Sequence, residues 1–398
     1  MSLSTDRSYK MKLRDVENAF KYRRIPYPKR SVELIALLAI SCTFFLFMHT
    51  NKLNSRLKEM EVKLQPSEFS ALGLTGNHIS GHDAGKHDDI NTLHGTYQYL
   101  KSTGQLVNVT TLRLNNTRLA RRRVVFFNRP TRVGTELMLP LLTLLSKHND
   151  VNLVLKGPVR KRTRMRTAKQ ERIETRFVSR LEKDSLYVAH GNWIDFAEYN
   201  RRKPIYISLV RDPVERMIDN YYQQRTLKKK IISRNVYAAY PQHPDAWYRQ
   251  SFNECVRRAS PECQYIEYSM RDEVEDFKRQ SLFFCGNDID CLPFNTRYGV
   301  QKAKRNVEKE YSVVGTWEQP NITLTVLEKY VPRYFNHART LFNLHKQSYS
   351  KRFRRYAVDA DVWAMVRRNF SREYDFYNFC KQHLYKQYLA LNLEKNLN

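Results

Sequence analysis

Arg129, Arg132 and Thr135 fall within the run Arg123-Val-Val-Phe-Phe-Asn-Arg-Pro-Thr-Arg-Val-Gly-Thr135, and an apolar stretch from Glu136 to Leu145 follows at once. Cations and a hydroxyl at this spacing can hold an anion. The loop amides and the first free N–H groups of a following helix converge on one point and carry partial positive charge there. The candidate cradle is therefore Arg129, Arg132, Val133, Gly134 and Thr135. It is not the nucleotide-hydrolase loop, which needs GxxxxGK[ST]; an ordinary strand-to-helix turn with surface arginines is the plain alternative. A second cationic loop, Leu209-Val-Arg-Asp-Pro-Val-Glu-Arg216, puts Arg211 before an Asp-Pro pair suited to the N-cap and first turn of a helix. For Arg211 alone, an ion pair with Asp212 or Glu215 competes with a ligand role. Two such loops at neighbouring strand ends imply a ligand with two separated anionic groups. His190 lies between them in the sequence, and an imidazole can take a proton from a hydroxyl near neutral pH.

Short β-rich runs must position these loops: Val124–Asn128, Asn152–Leu155, Ser185–Ala189, Ile205–Val210 and Ser312–Trp317. Helical patterns alternate with them at Glu136–Lys147, Val214–Leu227, Arg297–Lys309, Thr323–Tyr330 and Asp359–Tyr388. That alternation predicts an α/β domain with a central, mostly parallel sheet flanked by helices. Ligands of such sheets sit at the carboxyl ends of the strands, so the loops after Asn128, Ala189 and Val210 share one rim.

The 398 residues carry a formal charge of +29. Residues 1–30 are polar and basic, and residues 31–50 include an apolar run from Leu34 to Met48 long enough to cross a bilayer. A cleaved signal peptide is the competing reading. The long basic segment in front, and the lack of a small-residue cleavage site behind, favour an uncleaved anchor with a cytosolic N-terminus and a lumenal or extracellular remainder. Sequons at Asn108, Asn115, Asn321 and Asn369 agree with that side of the membrane. So do Cys255 and Cys263, and Cys285 and Cys291, which read as two local disulfides, with Cys380 left over as a buried thiol. Their spacing does not fit a zinc site, and no metal is called for. Residues 51–104 begin with a short heptad seam (Leu53, Leu57, Met60, Leu64) and continue as a polar stem, leaving residues 105–398 for the folded domain. From Lys156 to Lys183 runs a basic strip with Arg160, Lys161, Arg162, Arg164, Arg166, Lys169, Arg172, Arg176 and Arg180. It can attract a polyanionic chain or be a solvated helix face; nucleic acid is set aside because the domain is lumenal.

Phe127-Asn-Arg-Pro-Thr-Arg-Val-Gly-Thr, Ala189-His-Gly-Asn-Trp-Ile-Asp-Phe, Pro204-Ile-Tyr-Ile-Ser-Leu-Val-Arg-Asp-Pro-Val-Glu-Arg, Phe283-Phe-Cys-Gly and Tyr311-Ser-Val-Val-Gly-Thr-Trp-Glu together resemble the heparan sulfate and uronyl 2-O-sulfotransferases. Both cysteine pairs match that family's disulfide spacings, and the loops and stem are most similar to an insect branch of it. The resemblance covers about Val124 to Tyr388. It implies a P-loop-like sulfotransferase fold behind a signal anchor, in a single-pass type II Golgi membrane protein with a lumenal catalytic domain. It further implies transfer of a sulfuryl group from 3′-phosphoadenosine 5′-phosphosulfate to a uronic acid 2-hydroxyl in an acidic glycan, and a homo-trimer. On this reading Arg132 to Thr135 hold the 5′-phosphosulfate with Arg129, Arg211 holds the 3′-phosphate, and His190 is the base. Arg160, Arg162, Arg164 and Arg225 are the acceptor-binding cations, and Lys351, Arg352, Arg354 and Arg355 lie where the family closes over the nucleotide.

Three positions depart from the family pattern. Arg132 stands in place of a catalytic Lys, and a planar guanidinium cannot present a compact ammonium to the bridging oxygen. Asp219 replaces a Ser that bonds the 3′-phosphate. At about 4 Å from a phosphate its carboxylate costs on the order of 4 kcal/mol at an effective dielectric of about 20, unless it turns aside to an arginine such as Arg216 or Arg225. Val188 replaces a second His. Two readings follow: an active sulfotransferase with an altered grip on its co-substrate, or a catalytically silent Golgi protein that binds acidic glycans or partners. A lumenal kinase is disfavoured because the Mg²⁺-binding Asp and P-loop Lys are missing.

Overall fold

The computed structural model describes residues 48, 90–156, 166–233, 243–270, 278–350 and 356–395. The chain divides into Met1–Gly81 and His82–Asn398. The expected span and heptad seam, apart from Met48, lie outside the described residues, as do Arg160, Arg162, Arg164 and the Lys351–Arg355 cluster. Among the described residues no helix is long and apolar enough to cross a membrane.

The expected α/β architecture is present in the second unit. Strands β1 (Val124–Asn128), β2 (Asn152–Leu155), β3 (Ser185–Ala189), β4 (Ile205–Val210) and β5 (Tyr311–Thr316) form one sheet in the order β2-β3-β1-β4-β5. Every pairing is parallel. Continuous β-branched and aromatic runs such as Val124-Val-Phe-Phe suit strands covered on both faces, and β1, β3, β4 and β5 are buried throughout.

Alternation along β1 divides the core in two. Val125 and Phe127 face α2 (Thr135–His148), which contributes Leu137, Met138, Leu141 and Leu145. Val124 and Phe126 face the opposite layer, built from α3 (Ala168–Arg180), α4 (Pro213–Ser233) and α5 (Arg297–Glu310). Helices α6 (Pro320–Tyr330) and α7 (Ala338–Ser350) complete the first layer. Helices α8 (Ala360–Asn369) and α9 (Ser371–Lys395) follow; both supply the second layer, and α9 also reaches the first through Leu384.

Two expectations are corrected. The Asp359–Tyr388 pattern is two helices broken at Phe370, because Phe370 is fully buried and Asn295 Oδ1 accepts the Arg372 N–H at 2.8 Å, starting α9 with a tertiary cap. The folded part begins before residue 105: α1 (Leu93–Ser102), within the predicted stem, is a helix capped by Thr92, with Tyr97 and Leu100 buried. Val188, where the resemblance puts a second His, lies within β3 in the α2-side core. Both predicted disulfides are formed and Cys380 is a buried thiol, whose pKa burial pushes up.

Candidate active site

β1 sits between β3 and β4, so its loop is the centre of the rim, with His190 on one side and Arg211 on the other. The connections from β1 and β4 leave in opposite directions, which makes their shared edge the topological switch where such sheets open a crevice.

Two left-handed residues turn the cradle: Arg132 at φ 63° and Gly134 at φ 91°. Arg132 accepts strain that L-residues usually avoid, of roughly 1 kcal/mol. Gly134 has no alternative, since a Cβ there would lie 1.7 Å from Trp317 Cδ1. Val133 anchors the turn in the core, and the buried Arg216 braces it by donating from Nε to the Thr131 carbonyl at 2.8 Å. Helix α2 starts at once, and no side chain caps it at Gly134. An uncapped N-terminus beside Arg132 fits a bound anionic group. The Thr135 side chain lies outside the described residues.

His190 is joined directly to this loop. Its Nδ1 lies 2.8 Å from the Arg129 carbonyl, and the Arg129 N–H donates to the Ala189 carbonyl at 2.8 Å. A carbonyl only accepts, so Nδ1 carries the proton and Nε2 is the basic nitrogen of the neutral ring. Phe283 packs edge-on against the imidazole at 5.3 Å. Arg166, one of the cations of the basic strip, crosses Gly191 and donates to the His190 carbonyl at 3.2 Å. It also reaches the buried Glu174, which accepts bonds from Tyr187 and Lys156. Burial opposes ionisation of Glu174, but Arg166 and Lys156 outweigh it and hold the carboxyl below its usual range.

Arg211 is held from both sides. Its N–H donates to Gln280 Oε1 and its carbonyl accepts from Gln280 Nε2, each at 2.9 Å. Gln280 is fixed in turn by Glu373, a wholly buried carboxyl at the start of α9 that accepts the Gln280 and Ser281 N–H groups. Burial raises its pKa. Tyr374 donates to Asp212, the expected N-cap of α4, which accepts the Val214 and Glu215 amides at 2.9 and 3.0 Å. The α9 contribution escaped sequence reasoning; its only local trace is Gln280-Ser281 just before the Phe283-Phe284-Cys285 motif.

Two expectations fail here. Asp219 does not turn to Arg216 or Arg225. Its Oδ2 lies 3.2 Å from Arg211 Nη1 and 3.7 Å from Arg132 Nη1, and Arg211 also meets Glu215 at 3.5 Å. The two arginines expected to hold anionic groups therefore share a carboxylate of their own chain. Arg225 is not an acceptor-binding cation: it is buried, stacked 3.4 Å from the Tyr221 ring centroid and 4.1 Å from that of Trp247, bonded to the Trp247 carbonyl and paired with Glu262. Packing claims it because a guanidinium offers two flat faces to aromatic rings. Asn108, Asn321 and Asn369 are exposed, whereas Asn115 is half-buried and caps the Thr117 amide. Among the described residues no His, Cys, Asp and Glu side chains cluster as a metal site.

Residues 115–380 match the model of the sulfotransferase family. The chain is 44% identical to the uronyl 2-sulfotransferase homolog pip of Drosophila melanogaster over 98% of its own length and 95% of that protein's. It is 26% identical to heparan sulfate 2-O-sulfotransferase 1 of Homo sapiens, over 52% of this chain and 56% of the other. With the uronyl 2-sulfotransferase of Mus musculus it shares 25% identity over 67% and 64%.

Proposed function

The chain belongs to the sulfotransferase family, and from that premise we propose that it sulfates a hydroxyl, the uronic acid 2-hydroxyl, of a glycosaminoglycan or glycoprotein glycan. It does so as a type II Golgi membrane protein with 3′-phosphoadenosine 5′-phosphosulfate as donor. When bound, the donor supplies the sulfuryl group and the phosphate that leaves. Arg132, Val133, Gly134 and the first amides of α2 hold the 5′-phosphosulfate, and Arg211 faces the 3′-phosphate. His190 takes the acceptor proton through Nε2. Because charge grows on the departing phosphate, fixed amides and guanidinium groups beside it lower the barrier without having to reorganise.

The observation that carries this reading is the 2.8 Å bond from His190 Nδ1 to the Arg129 carbonyl. One bond sets the tautomer that a base needs and ties that base to the phosphosulfate loop. The Asp219 pairing with Arg211 and Arg132 favours a second reading, a silent relative that binds acidic glycans without turnover. Labelled-sulfate transfer to a panel of heparan, dermatan, chondroitin and glycoprotein acceptors separates the two. Label recovered on a uronic acid 2-hydroxyl supports the enzyme. No transfer, together with no binding of 3′-phosphoadenosine 5′-phosphate, establishes the silent relative instead.

A further inference from the structure

Helix α3 carries a one-sided row of cations. Its inward face holds Glu174, Thr175 and Val178. Both of its acidic residues are engaged: Glu171 accepts from Asn287 Nδ2 at 2.6 Å and from the Tyr199 hydroxyl, and Glu174 is held as described above. Lys169, Arg172, Arg176 and Arg180 are all exposed. At about 100° per residue they lie within about 80° of arc, and at about 1.5 Å rise they span about 17 Å. None of the four forms an ion pair among the described residues. Ile173 and Phe177, 61% and 45% exposed, flank the row one residue further round.

This face is unfavourable to the free protein. Like charges at i,i+4 each cost a helix a few tenths of a kcal/mol, roughly 0.2–0.5, and Ile173 and the outer part of Phe177, whose ring rests on Tyr187, stay in water. A polyanion of pyranose rings relieves both, with acidic groups for the guanidinium row and C–H faces for Ile173 and Phe177. The direction of the helix fits the same partner. α3 precedes β3 and runs antiparallel to it, so its N-terminus is at the catalytic rim, where Arg166 bonds the His190 carbonyl. We propose that the Lys169–Arg172–Arg176–Arg180 face is an exosite for the acidic glycan chain, holding sugars that flank the one at His190 and leading them away from the rim. This rests on the glycan-acceptor reading above.

The test uses the full-length protein and an Arg172→Ala/Arg176→Ala/Arg180→Ala variant, whose changes are all at the surface. Immobilised heparin should release the variant at lower salt. With a long heparan sulfate chain as acceptor, KM should rise at least about tenfold, a loss of about 1.4 kcal/mol, whereas KM and kcat for a tetrasaccharide and affinity for 3′-phosphoadenosine 5′-phosphate stay unchanged. Unaltered heparin retention and long-chain KM would overturn the proposal. So would an equal loss for long and short acceptors, which would put the arginines in the catalytic cleft, or a loss confined to binding of anionic phospholipid vesicles. If the unmodified protein sulfates no acceptor, the sulfotransferase reading fails while heparin elution still reports on the α3 face.

Discussion

Asp219→Ser should tighten the binding of 3′-phosphoadenosine 5′-phosphate. The Asp219 carboxylate lies 3.2 Å from Arg211 Nη1 and 3.7 Å from Arg132 Nη1. At an effective dielectric of about 20, each contact has a Coulomb energy of about 4–5 kcal/mol. The three side chains are 15%, 15% and 26% exposed, so solvent and salt reduce the net effect to about 1–2 kcal/mol. A nucleotide 3′-phosphate must displace this carboxylate from both guanidinium groups and then sit near it. Serine removes the competitor and leaves a hydroxyl that can donate to the phosphate. The expected gain is about 5- to 30-fold in Kd, read by titration calorimetry and larger at low ionic strength. Because the two arginines lose a partner, the free variant should melt slightly earlier and recover when the nucleotide is added. An unchanged or weaker Kd would refute the claim that Asp219 and the 3′-phosphate compete for one site.

Gln280→Leu removes both bonds that hold the Arg211 backbone; nucleotide affinity should fall about tenfold, the effect of an unsatisfied buried amide worth about 1–3 kcal/mol, and an affinity equal to wild type would show that Arg211 needs no such clamp. Arg225→Met breaks the ion pair that the stacked guanidinium makes with Glu262. It should cost about 3 kcal/mol in urea unfolding with acceptor KM unchanged, whereas a KM defect in folded protein would restore a substrate role. Burial, aided by Lys386, lowers the His383 pKa to about 4. Both states are uncharged above pH of about 6.5; between there and about 4 only the unfolded chain gains the proton, so stability should fall by up to about 3 kcal/mol. The pH profile of His383→Gln should be flatter by that amount, and parallel profiles would exclude the residue.

Local pattern carried the strands, because Val124-Val-Phe-Phe and Ile205-Tyr-Ile-Ser-Leu-Val announce buried β structure without tertiary help. The rim loops were legible for the same reason: Gly134 and the Asp212-Pro213 pair are local solutions to a turn and a helix start. What stayed hidden depends on distant contacts. α3 has only Val178 as a buried aliphatic, so its inward face, filled by paired Glu174, leaves no apolar period. The break at Phe370 is made by Asn295, and the Arg211 clamp by Gln280 and Glu373, residues 69 and more positions away. Arg225 was expected to be an acceptor-binding cation, yet its partners Trp247 and Glu262 lie in two short helices further along the chain. Charge alone cannot tell a ligand-binding arginine from a packed one.

The central claim is that His190, oriented by the Arg129 carbonyl, is the base for sulfuryl transfer at the β1 loop. It is tested most directly by single-turnover transfer of labelled sulfate in His190→Ala, run with nucleotide affinity measured in parallel. Transfer should fall by about 10²–10⁴-fold, the usual contribution of a positioned base, with the affinity for 3′-phosphoadenosine 5′-phosphate unchanged. Transfer at the unmodified rate in that variant would contradict it.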